Sequence, residues 1–330
     1  MQDFEREIEN RYGINIKSIS PYRDAQILTT SKGRKLMKRS VLSEERIMFI
    51  HTAKEHLVKN GFINLDRYLC TEDGEPFIVI DNNVYTVSDL IDGRECNFDD
   101  MNDVIKASKS LASIHNASKG FILPPNGKPR DELGKLPAYF SKRLDDIKRL
   151  KNIAKKEGSK FDYLFLKNFN YIYDLGENAL LQLSRSNYGE LVEEARREGV
   201  FCHHDFTYHN IICSENKTSV INFDYCCFEL KVYDVANFLR RKMRKCNWAV
   251  RESKIILDKY CSIENISKDE FVILKIILQF PQKFWRVANK YYNSKRSWTE
   301  KSYISKLEEV IDELEYHKQF LEKFEQLWGT

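Results

Sequence analysis

The chain has 330 residues, 42% hydrophobic and 31% charged, with 53 Lys and Arg against 49 Asp and Glu. A net charge of +4 without a basic stripe argues against a nucleic-acid binder, and the hydrophobic share excludes disordered and collagen-like chains. The longest apolar patch, 271–280, is interrupted by Lys275 and Gln279, short of the ~20 residues that cross a bilayer. The charged start MQDFEREIENRYG lacks the apolar stretch of a signal peptide, so a soluble protein made in the cytoplasm, with no membrane partner, is expected.

Along the chain, Ile14–Ser20 and Ala25–Thr30 read as short strands, followed by a Ser31-Lys32-Gly33 turn and a strand Lys35–Arg39. Ser43 is an N-cap for a helix running to Lys59, with Ile47, Phe49, Ile50, Ala53 and Leu57 as its stripe and Asn60-Gly61 as its stop. Strands at Phe77–Ile80 and Asn83–Leu90 flank a tight Asp81-Asn82 turn. The order predicts a small antiparallel sheet carrying one helix. From residue 100 the pattern turns helical: Met101–Asn116, then 138–156, 170–184 and 188–198, with Ile304, Leu307, Ile311, Leu314 and Leu321 marking one long closing helix. Eight cysteines, none in a CxxC pair, are expected to be reduced thiols. Cys202, His203, His204 and His209 lack the rest of a spaced Cys/His set, so no zinc site is expected.

The helical regime is interrupted from Phe201 to about Phe228. This stretch holds His203-His204-Asp205-Phe206-Thr207-Tyr208-His209-Asn210, an HxDxxxxN pattern, followed by a strand Thr218–Phe223 that ends at Asp224. Phosphoryl transfer needs a carboxylate that orients a hydroxyl and accepts its proton, oxygen ligands for Mg²⁺, and a lysine on the phosphates. An Asp with an Asn five residues later meets the first need and part of the second.

The pattern resembles the superfamily of aminoglycoside phosphotransferases, choline kinases and fructosamine kinases. Within it, the chain is similar to the CotS-type spore coat proteins through Tyr12-Gly13, Glu45–Leu57, Leu90–Cys96 (LIDGREC), His203–Asn210 and Phe280–Tyr292 (FPQKFWRVANKYY). The resemblance implies an α+β, bilobal protein-kinase-like fold. A small antiparallel-sheet N-lobe would span 1–91 and a larger, mostly helical C-lobe 92–330. It implies that His203 braces the catalytic loop, that Asp205 is the base and that Asn210 is a metal ligand. Asp234 matches a later Asp-x-Ala element that buttresses the loop. Lys38, in Leu36-Met37-Lys38 on the third strand, stands where the phosphate-binding lysine belongs. Its expected partner is Glu45, with adjacent Glu44 as the alternative. Adenine would meet backbone groups of the hinge 89–93, including Asp89 and Ile91. ATP and Mg²⁺ are the implied cofactors, a small-molecule or saccharide hydroxyl the implied acceptor. The implied location is the spore coat, after synthesis in the mother cell, with other coat proteins as partners.

Two positions depart from the superfamily pattern. Asn222 stands where the main metal-binding Asp is expected, leaving Asp224, two residues on and on the same face of an extended strand, as a substitute ligand. The turn Ser20-Pro21-Tyr22-Arg23-Asp24 has no glycine to bring backbone onto phosphates. Two functions therefore stand against each other: an ATP-dependent phosphotransferase, or a catalytically weak or inactive kinase-like structural component of the coat. Two further clusters carry a binding reading beside a packing one. The basic run 240–245 reads as a solvated helix face or as a site for an anionic acceptor. Trp285, Tyr291, Tyr292 and Trp298 read as core or as faces for a sugar.

Overall fold

The computed structural model describes residues 2–215, 217–293 and 299–329. Its contacts divide the chain into two compact units, residues 1–131 with 198–228, and residues 132–197 with 229–330. The HxDxxxxN segment thus belongs with the sheet-bearing unit, and so do residues 92–131.

The first unit opens with a helix that the sequence reading missed, α1 (Gln2–Tyr12). Strands β1 (Ile16–Tyr22), β2 (Ala25–Thr30) and β3 (Gly33–Ser40) follow, then α2 (Glu44–Lys59), β4 (Ile78–Ile80) and β5 (Asn83–Asp89). The sheet is antiparallel, in the order β1-β2-β3-β5-β4. Alternation on β3 buries Lys35 and Met37 and leaves Leu36 and Lys38 half-buried on the other face. Met37 joins Ile8, Tyr12, Leu28, Ile78 and Val87 in a core, so α1 covers one face of the sheet. Helix α2 is capped by Ser43, whose hydroxyl accepts the Arg46 N–H at 3.4 Å. Asp81 and Asn82, with φ of 50° and 60°, form the two-residue hairpin turn whose twist suits antiparallel strands.

A second sheet of three short strands, β6 (Arg94–Glu95), β7 (Ile211–Cys213) and β8 (Thr218–Val220), joins the hinge to the HxDxxxxN segment. Gly93 enters it with φ +150°, where a Cβ would lie 2.7 Å from the Cys213 carbonyl oxygen. No other residue fits there. Helix α3 (Met101–Ser118) lies against β8.

The second unit is helical: α4 (Leu136–Glu157), α5 (Lys160–Arg185), α6 (Tyr188–Glu198), α7 (Lys231–Met243), α8 (Val250–Cys261), α9 (Lys268–Gln279), α10 (Gln282–Asn293), α11 (Glu300–Asp312) and α12 (Leu314–Trp328). Its core contains the stacked pair Phe161–Tyr291 at 3.8 Å and a second stacked pair, Phe165–Phe284, at 5.1 Å. Tyr291 and Tyr292 are therefore packing residues, while Trp298 lies outside the described residues. The single closing helix expected over 304–321 is two helices. They break at Glu313, whose carboxylate accepts from Arg244 Nε at 2.9 Å and Trp248 Nε1 at 3.2 Å. No helix is long and apolar enough to cross a membrane among the described residues. All eight cysteines are free thiols.

Candidate active site

The HxDxxxxN segment is a tight loop closed by its own side chains. His203 is fully buried, and its Nδ1 accepts the Asp205 N–H at 3.2 Å. That bond fixes the tautomer: the proton sits on Nε2, which donates to the Ile221 carbonyl at 3.0 Å. The ring packs 4.6 Å from that of Phe223. His204 adopts φ +66°, a left-handed conformation that for such a residue costs of order 1 kcal/mol. That turn sits one residue before Asp205. A single 3₁₀ turn, Tyr208–Asn210, then brings Asn210 back. Its amide donates to the Asp205 backbone carbonyl at 2.8 Å and to the Asp205 carboxylate at 2.9 Å.

Beyond β8 the chain departs from expectation. The strand ends at Val220, Asn222 adopts φ +65°, and Phe223–Tyr225 is a 3₁₀ turn. The same-face argument for Asn222 and Asp224 therefore fails, because neither lies in extended backbone. Asparagine tolerates the left-handed region better than most residues, so the fold puts it where the chain must turn. The two side chains go separate ways. Asn222 Nδ2 donates to Asn210 Oδ1 at 3.4 Å, and the Asp224 carboxylate takes Lys38 Nζ at 2.9 Å.

Lys38 reaches Asp224 across 186 residues of sequence. Burial alone would lower its pKa, but Asp224 outweighs it and the ammonium stands above the ordinary lysine value. This contact corrects the expected ion pair with Glu45. Glu45 sits in the first turn of α2, fully exposed, with its carboxylate held low by the Ser43 hydroxyl. Glu45 faces solvent from that turn and does not meet Lys38 on the half-buried face of the sheet. Its neighbour Glu44 is exposed as well.

Helix α2 instead contributes two cations. Arg46 donates to the Asp224 backbone carbonyl at 3.0 Å and to that of Cys226, holding the turn that carries Asp224. Lys54 is buried, 3.0 Å from the Asp66 carboxylate and 3.9 Å over the Tyr68 ring. The other Asp66 oxygen accepts the Asn222 N–H at 3.0 Å. A continuous set of contacts thus runs from Lys54 through Asp66, Asn222 and Asn210 to Asp205. The sequence reading missed Lys54 and Asp66. The available signal was a lysine inside the stripe Ile50, Ala53, Leu57, where an unpaired charge could not stay buried.

At the hinge, Asp89 pairs with Lys35 through an exposed carboxylate. Leu90 N–H is taken by Arg34, whereas among the described residues neither backbone group of Ile91 pairs with another backbone group. The glycine-free turn is a two-residue hairpin with Arg23 at φ +54°. Arg23 reaches Glu95 at 2.6 Å, and Glu95 also accepts His209 Nδ1 at 2.7 Å. Asp234 is buried in the first turn of α7.

The donors around the loop fit the implied groups. Asn210, Asn222 and Asp224 offer only hard oxygens, which suit Mg²⁺ rather than a soft metal, with Asp224 the one carboxylate among them. Lys38 and the free Ile91 backbone suit the phosphates and the base of a nucleotide.

Residues 5–324 match the model of a protein family described as "Spore coat putative kinase YutH". Spore coat protein S of Bacillus subtilis is 26% identical over 318 residues, covering 96% of this chain and 90% of that protein. Among solved structures, an aminoglycoside phosphotransferase from Alicyclobacillus acidocaldarius superposes with a TM-score of 0.86 at 22% identity, over 97% of this chain and 94% of that one. A spectinomycin phosphotransferase solved with ADP and spectinomycin gives 0.65 at 15% identity, over 96% and 98% of the chains. At these identities the structures establish the protein-kinase-like fold, and the family model covers nearly every element from α1 to α12. The chain therefore belongs to the YutH family of kinase-like spore coat proteins, in keeping with its resemblance to the CotS type.

Proposed function

We propose that this coat-family protein is an ATP-dependent phosphotransferase acting on the hydroxyl of a small molecule or saccharide. The observation that carries the reading is the pairing of Lys38 on β3 with Asp224 in the same unit as the Asp205–Asn210 loop. In this reading Asp205 accepts the hydroxyl proton. Its carboxylate is oriented by Asn210 and by the His203-fixed backbone, and it has no cation as partner among the described residues. Lys38 leaves Asp224 for the phosphates, which frees the carboxylate to join Asn210 and Asn222 as oxygen ligands. Mg²⁺, when bound there, supplies charge neutralisation on the phosphate oxygens. Backbone groups at 89–93, Ile91 foremost, receive the base. The spore coat is the proposed location, as for the Bacillus subtilis relative's name.

A second reading, a structural coat component that keeps the fold without the chemistry, is favoured by Asn222 and by the glycine-free Arg23 turn. Calorimetric titration of the purified chain with ATP, with and without Mg²⁺, separates the two. The phosphotransferase reading expects Mg²⁺-dependent binding that Lys38→Ala weakens at least ~10-fold, as loss of a charge-assisted contact does. No binding at millimolar ATP would leave the structural role.

A further inference from the structure

Among its described residues, the helical unit holds three arginines without a carboxylate partner. Arg143 on α4 lies 4.9 Å over the Trp285 ring and 5.5 Å over the Tyr139 ring, and its pKa is lowered by burial while Tyr233 hydrogen-bonds it. Arg240 on α7 donates to Asn237 at 3.1 Å and to the Ile277 carbonyl, and its Nε is buried with no hydrogen-bond partner. Burial, with Arg286 and Arg143 acting in the same direction, brings Arg240 down to about 10. Arg286 on α10 is exposed and close enough to both to repel them.

Among the described residues, none of the three forms an ion pair with a carboxylate. The acidic groups that touch the surrounding aromatic side chains are already bound. Asp146 accepts Trp285 Nε1 at 3.1 Å and Arg149 at 3.3 Å, and Glu132 accepts the Tyr139 hydroxyl. Four other shielded cations of the same unit have carboxylates: Lys231 with Glu264 at 2.7 Å, Lys242 with Glu252 at 2.5 Å, Arg244 with Glu313 at 2.6 Å and Lys275 with Glu325 at 2.8 Å. Like charges held near one another without an anion are unfavourable, and an anion bound from outside would relieve that repulsion. Planar guanidinium forks match phosphate and carboxylate oxygens, and the stacking of Arg143 on two rings fixes its fork in advance.

We propose that Arg143, Arg240 and Arg286 form a binding site for a small-molecule oxyanion, the phosphate or carboxylate group of a metabolite. The site does not depend on the phosphotransferase reading. Its test is a calorimetric titration of the nucleotide-free full chain with inorganic phosphate, glucose 6-phosphate, glucuronate and, as the neutral control, glucose. Phosphate is expected to bind, glucose not, and Arg286→Ala to weaken phosphate at least ~5-fold, since it removes one charge-assisted contact. Because Arg286 is exposed, that variant keeps the fold, and Arg240→Ala serves as the second. Glucose 6-phosphate against glucuronate tells which oxyanion is preferred. Phosphate binding equal in wild type and Arg286→Ala, or lost in Lys38→Ala instead, would assign it to the nucleotide site and overturn the proposal; so would equal binding of glucose. Mg-ATP binding measured on the same samples keeps the two sites apart.

Discussion

The two units treat charge differently. In the sheet-bearing unit three cations near the loop are locked to anions, Lys38 to Asp224, Lys54 to Asp66 and Arg23 to Glu95, while Arg46 is held by backbone carbonyls. In the helical unit Arg143, Arg240 and Arg286 have no carboxylate partner among the described residues, and His317 is buried against Trp248 with its ring 4.3 Å away. A locked pair must be opened before its cation can take a ligand, so binding there is an exchange of partners. Unpaired arginines need no such exchange. The proposed nucleotide site would therefore be preformed but closed, and the helical cluster would need no pair to be opened first.

Asp205 in the loop is a carboxylate held by an amide rather than by a cation, and changing it should produce the largest effect. Asp205→Asn preserves shape and removes the proton acceptor. Turnover should fall by ~10²–10⁴-fold, the usual contribution of a positioned base, while ATP affinity changes little. Steady-state phosphoryl transfer beside ATP titration checks this, and undiminished turnover would remove Asp205 from the chemistry. The next largest effect tests a locked pair directly. Asp66→Ala takes the carboxylate partner from the buried Lys54 ammonium, leaving it the residue 66 carbonyl at 2.7 Å and the Tyr68 ring, and releases the Asn222 N–H, so ~3 kcal/mol of stability should be lost in urea unfolding. Lys54→Met with Asp66→Ala should recover much of it, because replacing a buried pair costs less than breaking it. A loss below about 1 kcal/mol for Asp66→Ala alone would show the pair to be solvated rather than buried.

How much of this was legible follows from how local each feature is. The hairpins, α2 with its Ser43 cap, and the Asp205–Asn210 loop are written in spacing and turn residues, and the structure keeps them. Helix α1 was missed because Gln2–Tyr12 carries few apolar residues; only Ile8 and Tyr12 are buried in the core. The end of β8 at Val220 was missed because an apolar strand pattern runs on through Phe223 while the left-handed Asn222 stops it. The partner of Lys38 was misassigned for a stronger reason. Sequence nearness favoured Glu45, whereas the pairing is set by tertiary approach of a segment 186 residues away. The basic run 240–245 carries an anion-site reading, but of that run only Arg240 belongs to the cluster, whose other members, Arg143 and Arg286, stand on two other helices.

In the helical unit, burial of a neutral histidine gives a pH signature of intermediate size. His317 donates Nε2–H to the Leu278 carbonyl at 3.1 Å, and burial pulls its pKa down to about 4. The unfolded chain binds a proton near pH 6.5, the folded one only near 4, so stability rises with pH across that window and is lost as pH falls through it. Wild type should lose of order 2–3 kcal/mol more than His317→Gln between pH 7 and 4. Equal pH slopes in urea melts of the two proteins would mean that His317 charges in the folded state without penalty.

The smallest effect bears on Asn222, where the sheet-bearing unit has an amide in place of the carboxylate that the resemblance leads one to expect. Asn222 Nδ2 donates to Asn210 Oδ1, so a carboxylate at 222 loses that bond and sets two acceptors 3.4 Å apart. In the absence of a cation Asn222→Asp should therefore be slightly destabilising, helped only by aspartate's tolerance of the left-handed backbone. With Mg²⁺ the balance reverses, because a second carboxylate joins Asp224 around the ion and affinity follows ligand charge. The variant should bind Mg-ATP ~3–10-fold more tightly than wild type, a gain of about 1 kcal/mol, and ATP without Mg²⁺ no better. The same gain without the cation would place Asn222 away from the metal and leave Asp224 as the only anionic ligand. No gain in either condition would mean that the Lys38–Asp224 pair, not the missing charge at 222, limits binding, and Lys38 would then be the residue to vary against it.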